Sequence, residues 1–334
     1  MGRRITNERL IALMRNAFAI SLFGVVMGAG LWLAGCSRSP HEVQAQQAPP
    51  PPPALKYIGA WGMKGTEPGQ LEKPAAIAAD VLGNVFIPDD GVNDFIHKFG
   101  PQGTPLLAFQ EPRLTHPQSV DVDRGGAIYI TDPVRGSLFI FFPNGDRYKE
   151  LRVGGRPNAE NILGVAVSDD GEIYVLDQNS GKIFDYTSRF RLARSWALPG
   201  STPGVTRHSG AIASGTGDGG AAGALFVADP VGNQILRYAA NGQLSSKISA
   251  AADGVARKIS DQFAVSDKYI FVMDSDGRMV HVWTLEGKLE LDCDLAPQLG
   301  QGSRFAPAIA ASPRGELLVL DDREGRVLRY QIAF

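Results

Sequence analysis

Short apolar runs that end in an aspartate recur along this chain at a nearly constant spacing. The six aspartates follow one another at intervals of 43, 45, 52, 45 and 47 residues. They are Asp89, Asp132, Asp177, Asp229, Asp274 and Asp321. A period near 45 residues is typical of propeller blades or of helical repeats.

The residues around each aspartate distinguish these two architectures. The runs at 127–132, 173–177 and 270–274 are short, β-branched and aromatic, and bounded by Gly, Asn or Pro, which is typical of buried strands. A glycine stands six residues before five of the aspartates, at Gly83, Gly126, Gly171, Gly223 and Gly315. An apolar residue stands six residues after every one, at Phe95, Leu138, Ile183, Ile235, Val280 and Val327. The sequence therefore predicts an all-β fold built from six copies of a strand, turn and strand unit.

The second repeat shows four predicted strands, at 120–122, 128–131, 138–142 and 148–153, with Asn144-Gly145 as the last hairpin turn. The sixth repeat ends with the chain after its third strand and lacks an outer strand. At the other end, Leu55 to Trp61 is a strand-like run without a repeat of its own. We therefore predict that this run pairs with the last blade and closes the ring, which leaves no open sheet edge.

The first two repeats resemble the NHL-repeat consensus of six-bladed β-propellers. The matching residues are 65–74, Ile77-Ala78-Ala79-Asp80, Gly83 to Asp89, and 116–122. Repeats three to five lack the Pro before the inner strand, and the fifth has Lys268 in place of Gly, so blade boundaries are open there. The fourth repeat also carries a glycine-rich insertion, 214–223, which accounts for the long interval.

The N-terminus predicts where the protein resides. Four arginines precede an apolar stretch from Ala17 to Leu33, and Leu33-Ala34-Gly35-Cys36 follows. This segment resembles a bacterial lipoprotein signal, which implies a covalent lipid, with palmitate among its chains, on Cys36. Ser37 differs from the Asp of inner-membrane retention signals, which favours an outer-membrane location in the cell envelope. An uncleaved transmembrane anchor, or a chance Cys within a secretory signal, is the alternative.

Three segments follow from these features. Residues 1–35 are a predicted signal peptide, residues 36–54 a lipidated Cys with a proline-rich tether, and residues 55–334 the propeller. The chain beyond the signal peptide is mildly acidic, which disfavours nucleic acid as a partner. Cys293 is the one other cysteine, so no structural disulfide is expected, and we predict a buried, inert thiol.

Candidate catalytic residues are few. Six aspartates could ring the propeller as metal or acid-base groups, but an Asp that ends a strand accepts backbone N–H bonds and so fixes the next turn. Peptidyl-hydroxyglycine lyases, which resemble NHL propellers, hold zinc with histidines at the starts of inner strands. Ala75, Gln118, Leu163 and Ala308 occupy the comparable positions here. Of the histidines, we expect His97 and His281 in third strands, and His116 and His208 nearer the channel mouth. No catalytic or metal residue is predicted, although bound zinc or calcium stays open.

Binding is therefore the predicted function. The loops before the inner strands and between second and third strands share one face of a propeller, and such loops carry function on a rigid scaffold. The candidate contact residues are His116, Gln118, Arg135, Asn179, Asp276 and Arg323. We expect a monomeric, membrane-anchored propeller that binds a protein or peptide of the envelope without catalysis. The alternatives are a metal-dependent lyase or lactonase-like hydrolase with its site in the central channel, and a purely structural role.

Overall fold

Four-stranded antiparallel sheets make up nearly all of the structure, a computed structural model. It describes residues 54–155, 161–200, 212–215, 223–251, 253–255, 257–299 and 308–333. The fold is an all-β propeller with six blades, and within the described residues its only α-helix is the single turn α1 (Ala296–Leu299).

The blades follow the chain in order. The first comprises β2 (Ala78–Ala79), β3 (Val85–Pro88), β4 (Phe95–Phe99) and β5 (Pro105–Gln110). The second comprises β6 (Ser119–Val122), β7 (Ile128–Asp132), β8 (Ser137–Phe141) and β9 (Arg147–Arg152). The third comprises β10 (Ile162–Val167), β11 (Ile173–Asp177), β12 (Lys182–Tyr186) and β13 (Leu192–Ala197).

The remaining blades repeat this order with one exception. The fourth comprises β14 (Ile212–Gly215), β15 (Ala224–Asp229), β16 (Gln234–Tyr238) and β17 (Leu244–Ser249). The fifth comprises β18 (Ile259–Val265), β19 (Tyr269–Asp274), β20 (Met279–Thr284) and β21 (Leu289–Asp294). The sixth comprises β22 (Ala308–Ala311), β23 (Glu316–Asp321), β24 (Arg326–Ala333) and, as its outer strand, β1 (Ala54–Trp61).

The predicted closure of the ring is confirmed. β1 pairs antiparallel with β24 from Ala54 opposite Ala333 to Trp61 opposite Val327, with a bulge between Tyr57 and Gly59. The first segment of the propeller thereby supplies the strand that the sixth blade lacks. β1 leads directly into the first blade but is hydrogen-bonded within the sixth blade. The ring can therefore open between these two blades only if the whole β1–β24 strand pair is broken.

The hydrophobic core lies between adjacent blades. Second and third strands are buried on both faces, as in Ile128–Asp132 and Ser137–Phe141, whereas outer strands are largely exposed. One buried cluster lies between the first and second blades. Ala76, Ala78 and Phe86 of the first blade pack there against residues of β6, β7 and β8. Five further clusters lie elsewhere in the ring, so each blade is stabilised by the surface that it buries against its neighbours.

The turn between third and fourth strands has one conformation in five blades. Its closing N–H lies 2.7–2.9 Å from the carbonyl oxygen three residues earlier. The turn at Asn144-Gly145 was expected from sequence, and Gly103, Gly145, Gly242 and Gly287 all have positive φ at this position. The fifth turn, in the third blade, has Phe190 at the same place with φ of 59°.

Candidate functional site

The six repeated aspartates organise the loops of one face. Asp132 lies at the end of β7, fully buried, and accepts hydrogen bonds from the N–H of Thr115 at 2.9 Å and of Arg135 at 3.0 Å. Asp177 likewise accepts from the N–H groups of Asn161 and Asn179. Each of these two carboxylates therefore joins the loop before the inner strand to the loop after the second strand. The predicted turn role of these residues is confirmed, and it extends to a second loop that sequence reasoning did not include.

In the first and fifth blades the hydrogen bonds of the aspartate carboxylate reach one of the two loops. Asp89 accepts from the N–H groups of Glu72 and Lys73, both at 2.6 Å. Asp274 accepts from the N–H groups of Arg278 and Met279 within the following turn. These bonds hold the loop tips on a rigid base, and the tips are then free to differ in chemistry between blades.

The predicted contact residues lie on this loop face, and all of them except Arg135 are exposed. His116, Asn179, Asp276 and Arg323 are exposed, and each lies in a loop before an inner strand or between second and third strands. Arg135 is half-buried, with its Nε 3.8 Å from Glu150 Oε1. Gln118 differs from the other five because it also lines the central cavity. The set is therefore spread around the rim and is not gathered in one pocket.

Exposed valines stand among these polar tips. Val92, Val134 and Val231 lie two or three residues after the aspartate of the first, second and fourth blades, and they are 80%, 62% and 65% exposed. Their polar counterparts in the other three blades are Asn179, Asp276 and Arg323. The loop face thus carries both apolar and polar tips, a mixture that is common in protein interfaces. Sequence reasoning missed the valines because it searched the loops for polar side chains.

A cavity of about 700 Å³ occupies the centre of the propeller. The inner strands line it, and Ala75, Gln118, Leu163 and Ala308 are among its residues, as the sequence predicted. It reaches the face opposite the valine tips, where loops between first and second strands supply Arg124, Asp169 and Arg314 among others. Arg124 and Asp169 join adjacent blades there, with their side chains 2.6 Å apart.

Two carboxylates lie on the inner strands that line the cavity. Asp121 Oδ2 accepts a hydrogen bond of 2.7 Å from the N–H of Val167 in the next blade, and burial raises the pKa of Asp121 to about 6. Asp261 belongs to a bulge between Ile259 and Phe263 in the fifth blade, where extra residues widen β18 toward the channel. Blades two and five lie opposite each other in a ring of six. Sequence reasoning missed both, since neither belongs to a recurring motif.

The described histidines other than His116 are structural. His97 and His281 lie in third strands, as predicted, and burial lowers the pKa of His97 to about 4. His281 Nδ1 lies 2.7 Å from Asp292 Oδ1, and the buried Arg257 binds the same carboxylate. Burial alone would raise the pKa of Asp292, but the hydrogen bonds from Arg257 and His281 hold it below its usual range. This network ties the loop before β18 to the outer strand of its own blade.

The remaining candidates concern metals, the free thiol and the N-terminus. Within the described ranges, no group of three His, Cys, Asp or Glu side chains could hold a metal ion, and no helix could span a membrane. Cys293 is a free, half-buried thiol, and burial raises its pKa, which favours the inert thiol form. Cys36, His208 and residues 216–222 of the glycine-rich insertion lie outside the residues that the structure describes.

Comparison with known proteins supports the fold alone. No protein-family model matches the chain, and no curated protein matches it. Among solved structures, it is similar to a streptogramin B lyase with a TM-score of 0.57 and 14% identity over 84% of this chain and 97% of that one. It is also similar to virginiamycin B lyase from Staphylococcus aureus, with a TM-score of 0.56 and 13% identity over 84% and 100% of the two chains. Raptor from Chaetomium thermophilum matches with a TM-score of 0.55 and 13% identity, over 84% of this chain and 29% of that chain. One fold thus occurs in proteins of different kinds, so function has to be argued from the surface of this chain.

Proposed function

We propose that this protein is a lipid-anchored component of the cell envelope that binds a protein or peptide partner through the loop face of its propeller. The observation that carries the binding role is the set of exposed valine tips, Val92, Val134 and Val231, on braced turns. Asp132 and Asp229 accept N–H bonds within the turns of Val134 and Val231, and Glu72 Oε2 accepts from the N–H of Val92. A valine left 60–80% exposed gains nothing from the fold. Burying it against a partner contributes about 1 kcal/mol or more, at roughly 25 cal/mol per Å² of apolar area.

The surroundings of the valines suit a specific partner. Met63 and Val255, 57% and 53% exposed, lie in connections that enter the inner strands of the first and fifth blades, so they share this face. Arg323, Asp276 and Asn179 place both signs of charge and an amide among the apolar tips. Protein interfaces commonly combine apolar contacts with such a polar rim. The rigid bases of the tips reduce the entropy that binding would cost.

The anchor is supported by the N-terminal sequence. Leu33-Ala34-Gly35-Cys36 provides small residues before a thiol, and the proline-rich segment up to residue 53 separates that thiol from β1. Two or three acyl chains bind a membrane stably, whereas one chain binds marginally. The outer membrane is the proposed location, on the strength of Ser37 after the Cys.

The two parts of the proposal have separate tests. For the anchor, cells are fed labelled palmitate and fractionated: the wild-type chain should carry label in the membrane fraction, and Cys36→Ser should carry none. Label on the Cys36→Ser chain would contradict the anchor. For binding, the wild type and a triple variant, Val92→Ser with Val134→Ser and Val231→Ser, are purified from cross-linked envelopes. A discrete adduct should form with the wild type and be lost in the triple variant, while Leu106→Ser on an outer strand should keep it.

A second candidate is an enzyme whose site is the central channel. It is favoured by the cavity of about 700 Å³ and by Asp121, whose pKa of about 6 would allow it to exchange protons near neutral pH. Two of the solved structures with a similar fold are lyases, which is an analogy at the level of the fold. Metal analysis of the purified protein, and a pH profile of any activity lost in Asp121→Asn, would support this candidate. An adduct on the valine tips would favour binding instead.

A further inference from the structure

An exposed aromatic cluster joins the second and third blades on the face opposite the valine tips. Phe142 and Tyr148 are 46% and 53% exposed, with ring centroids 4.9 Å apart, and Tyr148 lies 5.7 Å from the ring of Phe190. Lys149 Nζ stands 4.9 Å from the centre of the Phe190 ring. Leu192, 51% exposed, follows two residues later. Two exposed rings thus adjoin the half-buried ring of Phe190 and the exposed Leu192, and such a contiguous apolar patch is unusual for a surface that only meets water.

The backbone at Phe190 adopts a conformation that is strained for a residue with a side chain. Its φ of 59° falls in the left-handed region, and the corresponding turns of four other blades use glycine there. A side chain in this conformation costs on the order of 1 kcal/mol. One part of the half-buried Phe190 ring packs against the hydrophobic cluster between the second and third blades, and its other part contacts the exposed Tyr148 and Lys149. Strain of this kind is common at functional sites.

The cluster is basic although the domain is acidic. Residues 54–334 carry five more acidic than basic side chains. In the two segments that form the cluster, 142–149 and 187–192, the charged residues are Arg147, Lys149, Arg189 and Arg191 against Asp146 alone. Arg147 forms an ion pair of 3.1 Å with Glu111, so the cations that define the cluster are Lys149, Arg189 and Arg191. Aromatic rings flanked by Lys and Arg match the interface of a bilayer, where rings settle among headgroups and cations face anionic lipid.

The chain enters the propeller on the same face. Ala54 pairs with Ala333 at the end of β24, which is where the other blades have their turn between third and fourth strands. Phe142 and Phe190 lie in those turns of the second and third blades. The eighteen residues from 36 to 53 would reach roughly 55 Å if extended as polyproline. A propeller anchored by Cys36 can therefore lay this face on the membrane with slack in the tether.

We infer that the cluster of Phe142, Tyr148 and Phe190 with Lys149, Arg189 and Arg191 is a contact surface for anionic phospholipid. It rests on the proposed function in so far as Cys36 brings the domain to a membrane. The consequence is orientation: the aromatic cluster faces the lipid, and the valine tips face away from it toward the partner. The anchor alone would leave the domain free to rotate on its tether.

The test places a label on each face of the full chain in vesicles. In a Cys293→Ser background, Leu192→Cys or Val134→Cys carries a fluorophore, and the mature protein is reconstituted with phosphatidylcholine, with or without phosphatidylglycerol, containing a lipid-borne quencher. The label at residue 192 should be quenched at least several-fold more than the label at residue 134. Quenching should increase with phosphatidylglycerol and decrease with salt, because charge attraction is screened.

Two variants sharpen the result. Phe142→Ser combined with Tyr148→Ser should lower quenching at residue 192 several-fold, whereas Val92→Ser with Val231→Ser on the other face should leave it unchanged. Equal quenching of the two labels, or none at residue 192, overturns the inference whether or not the protein floats with the vesicles. Flotation itself reports on the anchor, so the failures are distinguishable. Protection of residue 192 in native envelopes but not in pure lipid would also overturn it, in favour of a protein at this surface.

Discussion

Replacement of Asp132 by Asn tests whether the repeated aspartates brace the loop face. The carboxylate is fully buried. One of its oxygens accepts hydrogen bonds from the loop before β6, and the other accepts from the loop after β7. Oδ2 accepts from Thr115 N–H at 2.9 Å, Thr115 Oγ1 at 3.1 Å and His116 N–H at 3.4 Å, while Oδ1 accepts from Arg135 N–H at 3.0 Å. The substitution keeps the shape of the side chain and changes only what it can accept.

An asparagine has one oxygen and one amide nitrogen, so it can serve only one of these loops. If its oxygen faces Thr115, its NH₂ group faces the N–H of Arg135, and a buried donor is left without an acceptor. Each such loss costs about 1–3 kcal/mol, and the remaining bonds weaken because the acceptor is no longer charged. We expect Asp132→Asn to lower the free energy of unfolding by about 2–4 kcal/mol. For a domain of this size, that lowers Tm by roughly 3–7 °C.

Asp276→Asn is the matched control, because Asp276 is an exposed tip residue in the equivalent loop of the fifth blade. It should change the free energy of unfolding by less than about 0.5 kcal/mol. Thermal unfolding followed by circular dichroism compares the two variants with the parent. If Asp132→Asn has the same Tm as the parent and as Asp276→Asn, the carboxylate does not brace the loops, and the account of the rigid tips is wrong.

Three further predictions concern closure, packing and pH. Deletion of residues 54–61 should destabilise all six blades at once, seen as one cooperative transition at lower temperature, because the sixth blade loses its outer strand; an unchanged Tm would contradict the closure. Gly103→Ala should cost about 2–4 kcal/mol, since the added Cβ would lie 2.3 Å from Trp61 Cγ at a φ of 83°, whereas Gly315→Ala, with no atom within 4 Å, should cost about 1 kcal/mol. Asp121 has a folded pKa of about 6, above its unfolded value, so its contribution to stability is present at low pH and lost as pH rises from about 4 through 6. Asp121→Asn should flatten that slope in denaturant titrations, and an unchanged slope would refute the assignment.

The repeat pattern was sufficient to predict the fold. Six aspartates at nearly equal spacing, with apolar residues six positions later, fix the second and third strands of every blade, and Leu55–Trp61 was identified as the missing outer strand. Each of the two repeated features involves residues close together in sequence and occurs in all six repeats, so the strand pattern of one blade is supported by the other five. The glycine turn at Asn144-Gly145 was predicted from the second repeat.

The site was harder to predict, for physical reasons. Phe190 occupies a position where sequence rules place glycine, so the turn of the third blade gave no signal. Asp261 faces the channel because of a bulge in β18, and a bulge depends on pairing with β19 that a single strand does not show. The valine tips lie in loops where the sequence analysis considered only polar side chains, and their exposure in the folded chain makes them candidates for binding.

The measurement that tests the central claim most directly is photo-crosslinking in living cells from residue 134. A photoreactive amino acid replaces Val134 on the loop face or, as the control, Leu106 on an outer strand, in the full chain with its own N-terminus. We predict one discrete adduct of defined mass from residue 134 in the envelope fraction and none from residue 106. Equal labelling from both positions, or no adduct from residue 134 in the envelope, would contradict binding through the loop face.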